Sequence, residues 1–230
     1  MPTIVPITPE TEWMTVLQHI PSWEPPRAPT VVLAPHPDDE TLGAGGLIAR
    51  LRKQGVSVTV VAVTDGENAY SDMEGLDAIR VPEQTEALHR LGVQESMIHR
   101  LMLPDRSISA HEDELVDLLL PFVTPETHVI APWKRDFHPD HEVVGRAAAR
   151  LAQLMGLSVT YYLFWTWHRG TPGMLTRLPI ARLDLSDREL QTKLYALEAH
   201  ISQFEHSDGQ PILSSELLAP AHRKFEVYIR

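Results

Sequence analysis

The sequence predicts an α/β fold: a single Rossmann-like, doubly wound and mainly parallel sheet in three α/β/α layers. Three observations predict it. Short β-branched and apolar runs alternate with helical stretches, the pattern of parallel βαβ units. Gly92 and Gly156 fall where two of those helices should end, and a Pro/Gly-rich turn separates later elements. The length of 230 residues, 43% hydrophobic and 22% charged, suits one buried core.

Residues 1–29 read as a helix and a connector leading into a main domain over residues 30–230. Thr8 is expected to cap the helix and Pro9 to open it, with Trp13, Val16, Leu17 and Ile20 on one apolar face. Residues 21–29 (PSWEPPRAP) cannot continue a helix. This segment is expected to dock on the main domain or on a second subunit.

The first strand is expected over residues 30–34 (TVVLA), followed by a helix over 41–54 with Leu47, Ile48 and Leu51 inward. A strand over 56–64 and a helix over 77–91 come next, then a third strand over 97–103. Ser109 and Glu112 have capping-box spacing for a helix running to Phe122. A fourth strand over 127–131 leads into a helix over 142–155, and a fifth strand covers 157–165. After the Pro/Gly-rich turn come a strand over 180–185, a helix capped by Ser186 and Glu189 and reaching Phe204, and a last strand over 225–229.

Composition narrows the function classes. Twenty Lys and Arg against 31 Asp and Glu give a formal net charge of −11, which disfavours nucleic acid as a partner. No apolar run approaches ~18 residues, so stable membrane insertion is not expected. The first ten residues lack the basic start and long apolar stretch of a secretion signal. Zero cysteines exclude disulfides, thiolate metal sites and a cysteine nucleophile, and make a cytoplasmic location the expectation. Any metal must be held by His and carboxylates.

Two strand-to-helix loops carry such residues. The first strand runs into Pro35-His36-Pro37-Asp38-Asp39-Glu40, and the fourth runs through residues 133–137 into His138-Pro139-Asp140-His141. Acidic residues are favoured at helix N-termini whatever else they do. Helix capping alone would explain one such loop, but not two His-Pro-Asp tripeptides at matching places. If the two strands are neighbours, two imidazoles and one carboxylate converge on a single cation, the ligand count of a hydrolytic zinc site with a position left for water.

The paired motifs resemble the LmbE-like, or PIG-L, family of metal-dependent N-acetylglucosaminyl deacetylases over roughly residues 30–204. Arg80-Val81-Pro82-Glu83 through Leu91-Gly92 is similar to that family's Arg-x-x-Glu…Leu-Gly helix, and residues 193–203 (KLYALEAHISQ) to its late Lys…His…Gln helix. The resemblance implies that His36, Asp39 and His141 bind Zn2+, although Fe2+ or another divalent ion suits the same donors. It implies Asp38 as general base, with Asp140 orienting His138 and raising its pKa. A protonated His138 would then stabilise the oxyanion and assist the leaving amine. The substrate implied is an N-acetylglucosamine-type amino sugar or its conjugate, a small molecule, cleaved to acetate and a free amine.

Asp65 and Asp105, at the tips of the second and third strands, and Arg80 are candidate substrate contacts; turn chemistry and a solvated helix charge are their ordinary explanations. Trp165 and Trp167 are candidate sugar-stacking rings or core residues. His200 is expected on a helix surface, and His19, His89, His99, His111, His128, His168, His206 and His222 are expected to be structural or exposed. Gly43-Ala44-Gly45-Gly46 lacks the third glycine of a dinucleotide fingerprint and is expected to bring the helix start close to metal and substrate.

Two rivals are distinguishable. His36-x-Asp38 with His141 matches the donor types of an iron(II) oxygenase, but such enzymes are usually all-β and would leave the second His-Pro-Asp motif without a task. A non-catalytic sugar-binding protein with a structural metal would normally show four protein ligands and no spare Asp38. Oligomeric state is left open, with a homo-oligomer compatible.

Overall fold

Strands β1 (Thr30–Ala34), β2 (Val58–Ala62), β3 (Ile98–Arg100), β4 (His128–Pro132), β5 (Ser158–Tyr162), β6 (Ile180–Asp184) and β7 (Phe225–Ile229) form one sheet in the order β3-β2-β1-β4-β5-β7-β6. This computed structural model describes residues 5–69, 73–204 and 211–230; residues 1–4 of the N-terminal segment and His206 lie outside them. Strands β1 to β5 pair in parallel, and β7 runs antiparallel to both β5 and β6. Every residue of β1 and β4 is buried, as central strands covered on both faces require.

The helices are α1 (Glu10–Leu17), α2 (Asp39–Lys53), α3 (Asp77–Arg90), α4 (Glu112–Leu119), α5 (Pro139–Met155), α6 (Trp165–Arg169), α7 (Asp187–Leu197), α8 (Ile201–Phe204) and α9 (Ser215–Leu218). Side chains alternate across the strands and feed two cores. Val31, Leu33 and Val129 pack with Leu115 and Leu119 of α4, Val144 and Leu151 of α5, and Trp13 and Leu17 of α1. On the other face Val32, Val60 and Ile130 pack with Leu47 and Ile48 of α2, Leu88 of α3 and Leu190 of α7. The chain leaves β1 for β2 on one side, whereas β4 lies on the other. That reversal opens a crevice beyond the carboxyl ends of β1 and β4.

Several expectations need correction. Thr8 does not cap α1; its hydroxyl donates to Gly170 O (2.8 Å), and Pro9 holds the cap position. Trp13 Nε1 donates to Trp167 O (3.0 Å), which fastens α1 to the sheet domain. Glu112 forms no box with Ser109, because a 3-10 turn over Ile108–His111 intervenes and its carboxylate binds Arg146 at 2.9 and 2.6 Å. The Ser186–Glu189 box does form, but its helix stops at Leu197 and resumes only as α8. The fifth strand ends at Tyr162, and the following aromatic run coils into α6.

The glycines of α2 serve packing against the sheet and α7 rather than access to a ligand. A Cβ on Gly43 would collide with the Tyr162 ring. Next to it, Glu226 accepts from the amides of Gly46 and Leu47 (2.8 Å each) and from Lys193 Nζ (2.7 Å), while Lys193 also donates to Leu42 O (2.9 Å). This buried ion pair inserts into the middle of α2, where both Glu226 oxygens accept from α2 amides and Lys193 also bonds a backbone carbonyl.

Candidate active site

The loop after β1 ends in Asp38 and Asp39 at the start of α2, and the loop after β4 ends in His138 at the start of α5. Because β1 and β4 are paired neighbours, the two loops meet. Asp39 Oδ2 lies 3.0 Å from His36 Nδ1 and 3.2 Å from His141 Nε2. Two segments about a hundred residues apart in sequence thus present two ring nitrogens to one carboxylate oxygen. Nitrogens of His36, His138 and His141 also come within 4.8 Å of one another.

Carboxylates hold the far nitrogens of both imidazoles. His36 Nε2 is 3.3 Å from Asp140 Oδ2 and 3.3 Å from Asp105 Oδ1, and His141 Nδ1 is 2.9 Å from Asp136 Oδ2. Burial disfavours charge on these rings, but the carboxylates outweigh it: His36 is held well above the usual histidine range and His141 is raised to about 9. Burial likewise pushes Asp39 upward, yet the charges and hydrogen bonds of His141 and His36 hold it well below the usual carboxylate range. The pocket therefore favours positive charge at the point where the two rings converge. A divalent cation fits that field and those donors, and its binding would displace the ring protons.

Asp38 sits beside this cluster without joining it. Its Oδ2 is 3.3 Å from Arg80 Nη2, which also donates to Pro37 O (2.6 Å). Burial pushes the Asp38 carboxyl up to about 7; Arg80 opposes the rise, while Asp39 and Glu40 add to it. The residue has φ 130°, a conformation that costs a non-glycine residue about 1–3 kcal/mol. Gly66, at φ +70°, makes room for the Arg80 guanidinium, which a Cβ there would strike.

The structure changes three expected roles. Asp140 does not meet His138: its Oδ2 faces His36 Nε2 and accepts from Arg106 N (3.0 Å). His138 is not held protonated, because burial and the neighbouring His141 and His36 push it down to about 3. His200 is not on a helix surface but buried, and burial together with Arg80 lowers it to about 3.

The cleft over this cluster encloses about 180 Å³, and Ala69, Arg106, Trp165, Gln203, Ile212 and Leu213 form its outer wall. Arg80 and Asp105 reach it, although Asp105 is engaged with His36 and with the Asn68 amide (3.1 Å). Asp65 does not line it and is instead paired with Arg100 at 3.0 Å. Trp165 stacks on His138, with ring centroids 5.6 Å apart, whereas Trp167 is buried against Trp13. Asp136 does not stand out in the sequence. Its only local signal is a carboxylate two residues before the His-Pro-Asp-His motif.

A doubly wound sheet with a buried His/Asp cluster at its switch point defines an α/β protein of LmbE-like architecture. Residues 31–152 match the family described as PIG-L: GlcNAc-PI de-N-acetylase, and the chain belongs to that family. It is 29% identical over 136 residues to a probable N-acetyl-alpha-D-glucosaminyl L-malate deacetylase 2 of Bacillus cereus, covering 54% of this chain and 61% of that protein. It is 26% identical to the diacetylchitobiose deacetylase of Thermococcus kodakarensis, covering 75% of this chain and 68% of that protein. The chain thus spans about three fifths of the length of the Bacillus relatives it matches. Among solved structures, the N,N'-diacetylchitobiose deacetylase from Pyrococcus horikoshii, complexed with an inhibitor, superposes with a TM-score of 0.61 at 27% identity, covering 79% of this chain and 72% of that one. A conserved protein from Thermus thermophilus shares the fold with a TM-score of 0.67 at 23% identity, covering 88% of this chain and 94% of that one. Among the described residues, no helix is long and apolar enough to cross a membrane.

Proposed function

We propose that this chain is a Zn2+-dependent amide hydrolase that removes the N-acetyl group from an N-acetylglucosamine-type amino sugar or its conjugate, releasing acetate and a free amine. One observation carries the reading: Asp39 Oδ2 lies 3.0 Å from His36 Nδ1 and 3.2 Å from His141 Nε2, and Asp38 lines the cleft over them. The named relatives, deacetylases of acetylated amino sugars, supply the substrate type. The cysteine-free composition suits a reducing compartment, and we place the activity in the cytoplasm.

His36, Asp39 and His141 would hold the ion, which when bound polarises an amide carbonyl and activates water at neutral pH. Asp38 takes the proton from the attacking water and returns it to the amine nitrogen as the C–N bond breaks, and its raised pKa suits that exchange near neutrality. Arg80 holds the Asp38 carboxylate toward the cleft through its contacts with Oδ2 and Pro37 O. A neutral His138 donates one ring N–H to the developing oxyanion, so this role needs hydrogen-bond geometry rather than a full charge. Trp165 closes one wall and fixes the plane of that ring. Arg80 and the outer wall are the candidate contacts for sugar hydroxyls.

Neither rival gains support. The fold is a mainly parallel α/β sheet rather than all-β, and a purely structural metal site leaves the strained Asp38 without a task. The test is a mass-spectrometric screen of acetylated amino sugars with Zn2+-loaded protein. Loss of one acetyl group per substrate, abolished by verified chelation and restored by added Zn2+, is the expected result. Turnover that persists in metal-free protein overturns the proposal.

A further inference from the structure

Asp136 lies in the loop between β4 and α5 and is fully buried. Its carboxylate meets donors on every side. Oδ2 is 2.9 Å from His141 Nδ1 and accepts from the amides of Phe164 (3.2 Å) and Trp165 (3.1 Å). Oδ1 accepts from Thr166 N (2.9 Å) and Thr166 Oγ1 (2.6 Å). The amide donors belong to the start of α6, so Asp136 satisfies helix-end N–H groups from 28 to 30 residues away in sequence.

A carboxylate can only accept, so the His141 nitrogen facing Asp136 must carry the proton. A cation that displaces the other ring proton would therefore meet the lone pair of Nε2, the nitrogen that faces Asp39. The same carboxylate fixes the first turn of α6, and the first residue of α6, Trp165, stacks on His138 with its ring 17° from parallel. One buried group therefore connects a candidate metal ligand to the aromatic wall that holds the neighbouring imidazole.

We infer that Asp136 is a positioning residue: it sets the ring tautomer and aim of His141 toward the bound cation and ties that ligand to α6. This rests on the metal-site reading above. A carboxylate on the far nitrogen of a ligating histidine orients the ring and strengthens it as a donor, and its loss typically weakens metal binding 10- to 100-fold.

The test is competition for Zn2+ against a chromogenic chelator, using wild-type protein, Asp136→Asn and Thr166→Val, each checked for folding by circular dichroism. Thr166→Val removes one bond that fixes α6 but leaves the contact with His141. Asp136→Asn should bind Zn2+ 10- to 100-fold more weakly than wild type, while Thr166→Val stays within about threefold. Equal affinity for wild type and Asp136→Asn, or equal loss in both variants, overturns the inference and leaves the metal site standing. Failure of wild type itself to bind Zn2+ overturns the underlying site instead. A measurement on 15N-histidine-labelled, Zn2+-loaded wild type does not depend on a variant folding. Long-range 1H–15N correlation should show the His141 proton on Nδ1, and a proton on Nε2 overturns the inference.

Discussion

The ring of His138 lies against the indole of Trp165, with centroids 5.6 Å apart and planes 17° from parallel. The Arg169 guanidinium sits over the same indole at 4.3 Å. Trp165 is therefore a prop for His138 as well as a wall of the cleft. An aromatic contact of this kind is worth about 0.5–1.5 kcal/mol beyond area burial. Trp165→Ala should lower kcat/KM by roughly 3- to 10-fold, while Trp165→Phe, which keeps a stacking face, should stay close to wild type. Steady-state kinetics on the substrate found in the screen decide it; an unimpaired Trp165→Ala removes the prop.

Asp38 and Asp39 are adjacent but differ in engagement. Asp39 is clasped by two imidazoles, whereas Asp38 contacts Arg80. Asp38→Asn keeps the side chain's shape and should retain metal and fold while losing roughly 10²- to 10⁴-fold in kcat, the usual weight of a general base. Metal content and turnover should be measured on one sample, because near-normal turnover in the metal-replete variant takes Asp38 out of the proton transfer.

His141 has no exposed surface, and its Nε2 has Asp39 as its near neighbour. Replacing it with Ala removes a ring nitrogen from the cation pocket and leaves Asp39 and Asp136 without that partner. Elemental analysis of His141→Ala should show a sharp drop in bound metal. Stoichiometric metal in the folded variant would mean that the ligands are other residues.

Legibility in the sequence followed the range of the interactions. The strands were readable because TVVLA and its counterparts carry β-branched, apolar residues between turn signals, and burial on both faces needs nothing further. The clustering of His36, Asp39 and His141 was readable because these residues come in two compact motifs that begin where strands end. Asp136 was not, since its partners at Phe164 to Thr166 are brought to it only by the pairing of β4 with β5. The same distance hid α6, whose aromatic sequence favours a strand locally but whose first amides are held by Asp136. Asp140 faces His36 rather than its sequence neighbour His138, because adjacency along the chain says nothing of where a helical side chain points.

Lys193 and Glu226 form a buried pair at 2.7 Å, and Glu226 also accepts from Tyr228 Oη (2.8 Å) and two α2 amides. Removing one member of such a pair leaves the other charge buried, at a cost of about 3–5 kcal/mol. Lys193→Met should therefore lower the urea midpoint strongly. The double variant Lys193→Met/Glu226→Gln should be less unstable than the sum of the single variants, since neither charge is then stranded. Strict additivity would show that the pair is not energetically coupled.

His128 opens β4, far along the strand from the cation pocket, and is packed against Trp23 with Nε2 2.9 Å from Thr160 Oγ1. Burial, assisted by Arg230, lowers its pKa from 6.5 to about 4. The folded protein thus takes up this proton less readily than the unfolded chain between those values. The stabilising contribution is complete above pH ~6.5 and is lost as pH falls toward ~4, amounting to at most about 3 kcal/mol for one residue. His168, lowered to about 4 by burial and then by Arg223 and Arg169, acts in the same direction. Urea unfolding at a series of pH values should show stability rising across this window. His128→Gln, which keeps a hydrogen-bonding group but does not titrate, should flatten that rise measurably. An unchanged slope in the variant would mean that other groups carry the acid sensitivity.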